Sequence, residues 1–374
     1  MKIKDIPEYL KTVKPWRSVL FLGPPGIGKS TAVRAFAEWE ARKLGLEFID
    51  YDYTHYRDVM SEPERYYVFY DLRLTEVEPT DIGGVPRDLN DSAIANKQYD
   101  WAIALNKARA GMLLLDEFNL HQRDDVESQS YKLILDRRAG SIRFSPNVRV
   151  IALGNTKETN PLVRFLSFGL RNRFNIIKVD LPTVEEWSKW MDEHVPGWDK
   201  RGLAYLMKFR DDFLKPPTVE GDGEDNWPSP RTWHWLLEEL PETPKRFWRE
   251  KAVGYLGPEV GNKFASFLEN PVPEPAELLK NPTKFHELGL DSRYLAVVLV
   301  GRYFCENEKV STRDVVPFLR SAASEGGEYL ALFAMTINSN RSKAIALLRE
   351  ISVNKKYEDL RREFANLGWF IQQA

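Results

Sequence analysis

In the first half of the chain, short continuous apolar runs alternate with stretches whose apolar residues recur at helical spacing. The runs SVLFLG (18–23), YYVFYDLRL (66–74), GMLLLDE (111–117), VRVIALGN (148–155) and FNIIKVDLP (174–182) predict strands. Residues 30–44 put Ala32, Val33, Ala35, Phe36 and Trp39 on one side and predict a helix. Residues 98–110 and 124–138 predict two more. The segment 47–65 is open between a further short strand and an insertion, and TDIGGVPRDLND (80–91) has the chemistry of a loop. Apolar strands alternating with helices point to an α/β fold with a parallel sheet covered on both faces.

After Pro182 the pattern changes. TVEEWSKWMDEH, KRGLAYLMKFRDDFL, SPRTWHWLLEEL and KRFWREKAVGYL all carry helical periodicity, and PPTVEGDGEDNWPSP (216–230) is an acidic, Pro/Gly-rich loop among them. ENPVPEPAELLKNP (269–282) reads as a linker, and 291–372 as further helices with no strand signal. The expected organisation is an α/β domain over 1–182, a helical region over 183–270 and a helical accessory region over 271–374. No internal repeat or low-complexity tract interrupts it.

Composition changes this picture little. The chain of 374 residues is too long for one small core, and 43% hydrophobic with 29% charged residues is ordinary for a folded soluble protein. A net charge of −2 gives no global electrostatic case for nucleic acid or an anionic membrane. The single cysteine, Cys305, rules out a disulfide framework within the chain and fits a reducing, cytoplasmic setting. No apolar run is long enough for a membrane span, and no secretory signal is expected at MKIKDIPEYLKTVKPW. Of the eleven tryptophans, most of those after Pro182 are expected in helical packing, with an exposed subset available for docking a partner.

The chemistry sits at the strand ends. Gly23-x4-Gly28-Lys29-Ser30, between a predicted strand and helix, is a phosphate-loop pattern. Glycines let the backbone curl so that several N–H groups face one anion, and the helix adds its positive N-terminal end. Gly23, Pro24, Pro25, Gly26, Ile27, Gly28, Lys29, Ser30 and Thr31 are therefore the candidate nucleotide-binding residues. Lys29 would reach the β- and γ-phosphates, and Ser30 would ligate Mg²⁺. GMLLLDE delivers Asp116 and Glu117 to a strand end: Asp116 to hold Mg²⁺ through water, Glu117 to polarise the attacking water. A solvated strand end would read the same without the loop. Asn155 closes the next strand, where an amide can hold the attacking water or simply end a turn. Arg171 and Arg173, in GLRNRF, can neutralise charge on a transferring phosphoryl group or satisfy helix-end carbonyls. Arg231 opens a helix in PSPRTW, where the dipole disfavours a cation; it meets an anion or stacks on a nearby tryptophan. Tyr66, Tyr67 and Tyr70 read as sheet core rather than as grips on a substrate.

These segments resemble the AAA+ ATPases, and within them the MoxR-like branch. The resemblance rests on GPPGIGKS, LLLDEFN, ALGNTKE, LRNRF and SPRTW in that order, with DLRLTEVEPTDIGGVPR (71–87) between the first two, and it covers residues 16 to about 268. It implies a P-loop α/β domain with a five-stranded sheet of order 5-1-4-3-2, an α-helical lid, and a homo-oligomeric, hexameric ring with ATP between neighbours. By this resemblance Lys29, Ser30, Asp116, Glu117 and Asn155 serve the subunit's own ATP and Mg²⁺, and Arg231 reaches it from the lid. Arg173 is implied as the finger into the neighbour's site, with Arg171 second, on a sheet edge remote from its own phosphate loop. MoxR-like proteins are ATP-driven chaperones that remodel or assemble other proteins, commonly with a von Willebrand A domain partner. The chain departs from threading members of the superfamily in one respect: IGGVPRDLNDS (82–92) has no aromatic pore-loop residue before Tyr99 and Trp101.

Two other readings compete. An AAA+ nucleic-acid motor or loader is disfavoured by the near-neutral charge and the lack of a zinc finger, winged helix or aromatic-basic strand. A nucleotide-gated scaffold that does not hydrolyse is disfavoured because Glu117, Asn155 and two candidate arginines are all present.

Overall fold

The computed structural model describes residues 1–90, 93–120, 124–157, 163–216 and 225–366, and the chain divides into two compact units, Met1–Leu181 and Pro182–Ala374. The first unit is built on a sheet of six parallel strands: β1 (Val19–Leu22), β2 (Glu47–Asp50), β3 (Tyr66–Arg73), β4 (Ala110–Asp116), β5 (Val148–Gly154) and β6 (Asn175–Lys178). Their order is β6-β1-β5-β4-β3-β2. The central strands β4 and β5 are buried throughout except at Asp116, which is why, apart from Arg149 with its Glu40 partner, they read as apolar runs rather than alternations. One face packs Phe21, Met112 and Leu114 under Val33, Phe36 and Ala37 of the long helix α1 (Lys29–Leu44). The other packs Leu20, Leu113 and Val150 under Trp101, Leu105, Val126 and Leu133.

The expected five-stranded sheet of order 5-1-4-3-2 is corrected to six strands. The extra strand is β2, which lies beyond β3 at the sheet edge and pairs with it from Glu47–Tyr66 to Asp50–Phe69. With a neighbour on one side only, just Ile49 of its four residues is buried, so its apolar signal is faint. The expected loop over 80–91 is also corrected. Pro79–Gly83 is a short helix, opened by a reciprocal cap between Glu78 and Asp81, and Val85–Asn90 pairs antiparallel with Ala93–Lys97. Proline and glycine here begin and end a helix, a use that composition does not distinguish from a turn. Residues 91 and 92 of that segment lie outside the described residues. The helix expected over 124–138 is α-helical through Tyr131 and π-helical over Lys132–Asp136. Tyr66 and Tyr67 are buried in the sheet, as expected of core residues, and Tyr70 stacks on Trp101 with ring centroids 5.2 Å apart.

The second unit is helical, with no strand among its described residues. Tyr205, Trp233, Phe264 and Phe267 form an aromatic core in which Tyr205 meets each of the other rings within 5.5 Å. Trp187 and Trp198 are buried in the same unit, whereas Trp235 is 43% exposed. Ser229 caps the helix Pro230–Glu239 by accepting from the Thr232 N–H. The helix Trp248–Leu268 is kinked at Gly257, where φ is 74°, next to Pro258. Helix Arg201–Lys208 packs against helix Leu290–Glu306, and Lys208 pairs with Asp291, so the segments on the two sides of the proline-rich linker share packing.

Candidate functional site

β1 ends at Leu22, and the chain then closes a tight loop into α1. The Gly23 N–H donates to the Gly154 carbonyl at 3.2 Å, tying the loop's start to the end of the adjacent β5. Gly26 and Gly28 hold φ values of 72° and 98°, a left-handed backbone that side chains other than glycine resist. Ile27, only 6% exposed, anchors the loop in the core beneath α1. Gly28 is the N-cap of α1 and brings no side-chain cap, and the first turn carries no acid, so the helix presents its positive end with no built-in anion. Lys29 is 7% exposed, and its Nζ donates to the carbonyls of Gly23 (2.9 Å) and Pro24 (2.7 Å) and to Asn155 Oδ1 (3.4 Å). Its ammonium is thus held across the mouth of the loop. Ser30 Oγ donates to Asp116 Oδ2 at 2.7 Å, while Thr31 is exposed.

Asp116 arrives on β4, and the next residue turns sharply. Glu117 has φ of 53°, a conformation uncommon outside glycine, and its N–H donates to Asp116 Oδ1 at 2.8 Å. Such a strained turn at the end of a buried strand is characteristic of functional sites. The Glu117 carboxylate accepts from Thr75 Oγ1 at 2.9 Å. Asn119 then locks the neighbouring strand end: its Nδ2 donates to the Asn155 carbonyl (2.8 Å), and its Oδ1 accepts from the Asn155 N–H (2.9 Å). A Cβ on Gly154 would lie 2.7 Å from Asn119 Oδ1 and 2.8 Å from Leu22 Cδ2. Gly154→Ala is therefore expected to lower stability by about 1–3 kcal/mol, measured by denaturant unfolding of the two proteins.

The structure thus gathers these residues at the C-terminal ends of the strands as two hydrogen-bonded groups, Lys29 with Asn155 and Ser30 with Asp116 and Glu117. Three residues to which the sequence alone assigns no role join them. Thr75 orients Glu117 and Asn119 orients Asn155. Asp71, on β3, lies near Asp116 and Arg73; its Oδ2 is 3.8 Å from Arg73 Nε, but its Oδ1 is buried with no partner. Burial and, next, the Asp116 charge push the Asp71 carboxyl up to about 6. Leaving an acceptor buried and unpaired costs on the order of 1–3 kcal/mol.

The residues present fit a hard divalent cation. The donor set is all oxygen, with a hydroxyl and a carboxylate in contact beside a phosphate loop and an unpaired carboxylate oxygen nearby. Among the described residues no group of three or more His, Cys, Asp or Glu could hold a metal unaided. That suits Mg²⁺, which takes few protein ligands and completes its shell with water and substrate phosphate.

Arg171 and Arg173 make no hydrogen bond or ion pair with this set. Arg173 lies over the Tyr131 ring at 4.6 Å and donates from Nη1 to the Gly169 carbonyl at 3.1 Å, the helix-end contact that the sequence allowed. Its expected place on a remote sheet edge is corrected: β6 is an edge strand, but it pairs directly with β1. What separates Arg173 from the phosphate loop is the direction of the strands. Val19 pairs with Asn175, so Arg173 sits at the N-terminal end of a parallel pair whose loop leaves the other end. Arg171 lies over Phe168 at 4.3 Å, beside a ring that is 82% exposed. Arg231 belongs to the second unit, where it is exposed and 5.9 Å from the Trp235 ring, the stacking alternative raised by the sequence.

No protein-family model matches this chain, and no curated protein does. Solved structures do match it at low similarity. A RuvB mutant from Thermotoga maritima is 16% identical over 88% of this chain and 83% of that chain, with a TM-score of 0.35. NtrX from Brucella abortus is 14% identical over 71% of this chain, with a TM-score of 0.32; the match spans 63% of the NtrX chain. The ADP complex of S. cerevisiae Hsp104 is 14% identical over 98% of this chain and 47% of that chain, with a TM-score of 0.33.

Proposed function

We propose that this chain is an AAA+ ATPase of the MoxR-like kind, which binds ATP with Mg²⁺ on the Gly23–Thr31 loop and hydrolyses it. The observation that carries the reading is the contact of Ser30 with Asp116 at 2.7 Å beside a glycine-cornered helix N-terminus. A phosphate loop and a strand-borne carboxylate far apart in sequence have no evident reason to meet except at a metal-bound nucleotide. In this reading the α1 amides and Lys29 hold the β- and γ-phosphates, with Lys29 moving from loop carbonyls to phosphate oxygens. Ser30 and Asp116 hold Mg²⁺, which when bound supplies positive charge to the phosphate oxygens. Glu117, kept in place by Thr75, orients the attacking water and accepts its proton. Asn155, locked by Asn119, offers its amide to the same water or to the γ-phosphate.

The ring, the finger role of Arg173 and the reach of Arg231 to the nucleotide are part of the same proposal. So is the work done with the energy: remodelling or assembling a protein client, of which a von Willebrand A domain protein is the expected type. The order of the sequence segments from GPPGIGKS to SPRTW supports the MoxR-like branch. A cytoplasmic setting is proposed from the lone cysteine; no helix among the described residues is long and apolar enough to cross a membrane.

The test is phosphate release from ATP by the full chain, with Mg²⁺ and with EDTA. The reading expects turnover in Mg²⁺ that EDTA removes and that Lys29→Ala lacks. Turnover that persists in Lys29→Ala, or none under any condition, contradicts it.

A further inference from the structure

Asp71 has no role in the hydrolysis proposed above, and its setting is unlike that of a structural carboxylate. β3 and β4 run parallel with Asp71 opposite Leu114 and Arg73 opposite Asp116. Neighbours in register, and residues two apart, point to the same face of a sheet. That face is the one covered by α1, since Leu114 packs with Val33 and Phe36. Asp71 therefore shares a face with Asp116, to which Ser30 is bonded. On the other side, β2 brings Asp50 to the same region, but Asp50 is already engaged by Arg34 at 2.6 Å.

Asp71 has a nearby cation of its own in Arg73, and leaves it half used. Arg73 approaches Oδ2 only to 3.8 Å, beyond hydrogen-bond distance, and also turns to Glu76. Oδ1 is closed off from solvent and accepts no hydrogen bond. A carboxylate kept for an ion pair would turn both oxygens to the guanidinium, the bidentate arrangement that arginine favours. Here one oxygen is withheld, on the strand adjoining Asp116.

We propose that Asp71 is a positioning residue for the nucleotide's metal: opening of the Ser30–Asp116 contact exposes Oδ1, now closed off from solvent, which then accepts a hydrogen bond from a metal-bound water, so that β3 and β4 hold the outer coordination shell together. The inference rests on the ATPase reading above. It explains why a carboxylate near Asp116 leaves Oδ1 without a partner, because a divalent cation and its waters offset the one and satisfy the other.

The experiment separates metal from nucleotide. ADP binding is measured in EDTA with a fluorescent ADP analogue, and Mn²⁺ binding to the ADP complex is followed by electron paramagnetic resonance, for the full-length wild type, Asp71→Asn and Asp71→Ser. Both variants are expected to bind ADP in EDTA like the wild type and to weaken Mn²⁺ binding about 10-fold or more. Their melting temperatures without metal are expected to match or exceed that of the wild type, because a carboxylate near Asp116, with a buried oxygen that accepts no hydrogen bond and only a loose contact to Arg73, has been removed. Mn²⁺ affinity equal to the wild type's in either folded variant overturns the proposal. So does a fall in melting temperature with Mn²⁺ affinity unchanged, which is what a purely structural pair with Arg73 gives. A wild type that binds no ADP at all overturns the ATPase reading itself, and the role of Asp71 with it. That result is distinct from one in which ADP binds and Asp71 has no influence on Mn²⁺.

Discussion

Glu117→Gln is expected to bind ATP as the wild type does and to hydrolyse it roughly 10²–10⁴ times more slowly, the range for loss of a general base. The substitution keeps the size of the side chain and its ability to accept from Thr75 Oγ1, now 2.9 Å from the carboxylate. It leaves Lys29, Ser30 and Asp116 untouched, so the contacts available to the phosphates and the metal are unchanged. What is lost is the acceptor for the water's proton. Single-turnover hydrolysis measured beside equilibrium ATP binding separates the two effects. If Glu117→Gln lost binding and hydrolysis in equal measure, the carboxylate would be a binding group or a structural one, and the role given to it here would be wrong.

The second large effect concerns Arg173. A cation supplied to the γ-phosphate from a neighbouring subunit can raise the rate about 10³-fold or more. Within one chain Arg173 lies at the end of the β1–β6 pair opposite the phosphate loop, so it cannot serve the nucleotide held there. Its present partners, the Tyr131 ring and the Gly169 carbonyl, are of the kind that a mobile arginine can exchange for an anion. ATPase activity per subunit is accordingly expected to rise with protein concentration as copies assemble. Arg173→Ala is expected to bind ATP normally and to turn over about 10³-fold more slowly. Mixing it with Lys29→Ala, once subunit exchange has been demonstrated, is expected to restore part of the activity, because some sites then combine an intact Lys29 with a neighbour's intact Arg173. Recovery by Arg171→Ala in the same mixture, but not by Arg173→Ala, assigns the role to Arg171. Full activity in a monomer at every concentration contradicts the shared site.

The parts of this molecule legible in its sequence are those whose signal is local. The phosphate loop is one short stretch whose glycines must be there for the backbone to turn, and Gly26 and Gly28 do hold positive φ. β4 and β5 are buried on both faces, so all their residues but Asp116 and Arg149 are apolar and the runs stand out. β2 was equivocal because an edge strand is half exposed. The segment 80–91 misled because the same residues serve helix caps, hairpins and loops. Thr75, Asn119 and Asp71 escaped for another reason. Thr75 meets Glu117 across 42 positions and Asn119 meets Asn155 across 36, and nothing in a threonine or an asparagine announces a partner so far along the chain. Asp71 is visible only through the register of β3 on β4. Arg231 has the Trp235 ring 5.9 Å away, one of the two partners its place at a helix start suggests; its reach to a nucleotide belongs to the proposal.

The most direct test of the central claim, that the Gly23–Thr31 loop and the Asp116–Glu117 pair hold and cleave ATP, is the identity of the nucleotide that stays on the protein. The wild type, Lys29→Ala and Glu117→Gln are each mixed with ATP and Mg²⁺, rapidly desalted, and the bound nucleotide is separated by chromatography. ADP is expected on the wild type, little or no nucleotide on Lys29→Ala, and ATP on Glu117→Gln. Equal nucleotide on the wild type and Lys29→Ala, or ADP on Glu117→Gln in the wild-type amount, contradicts it.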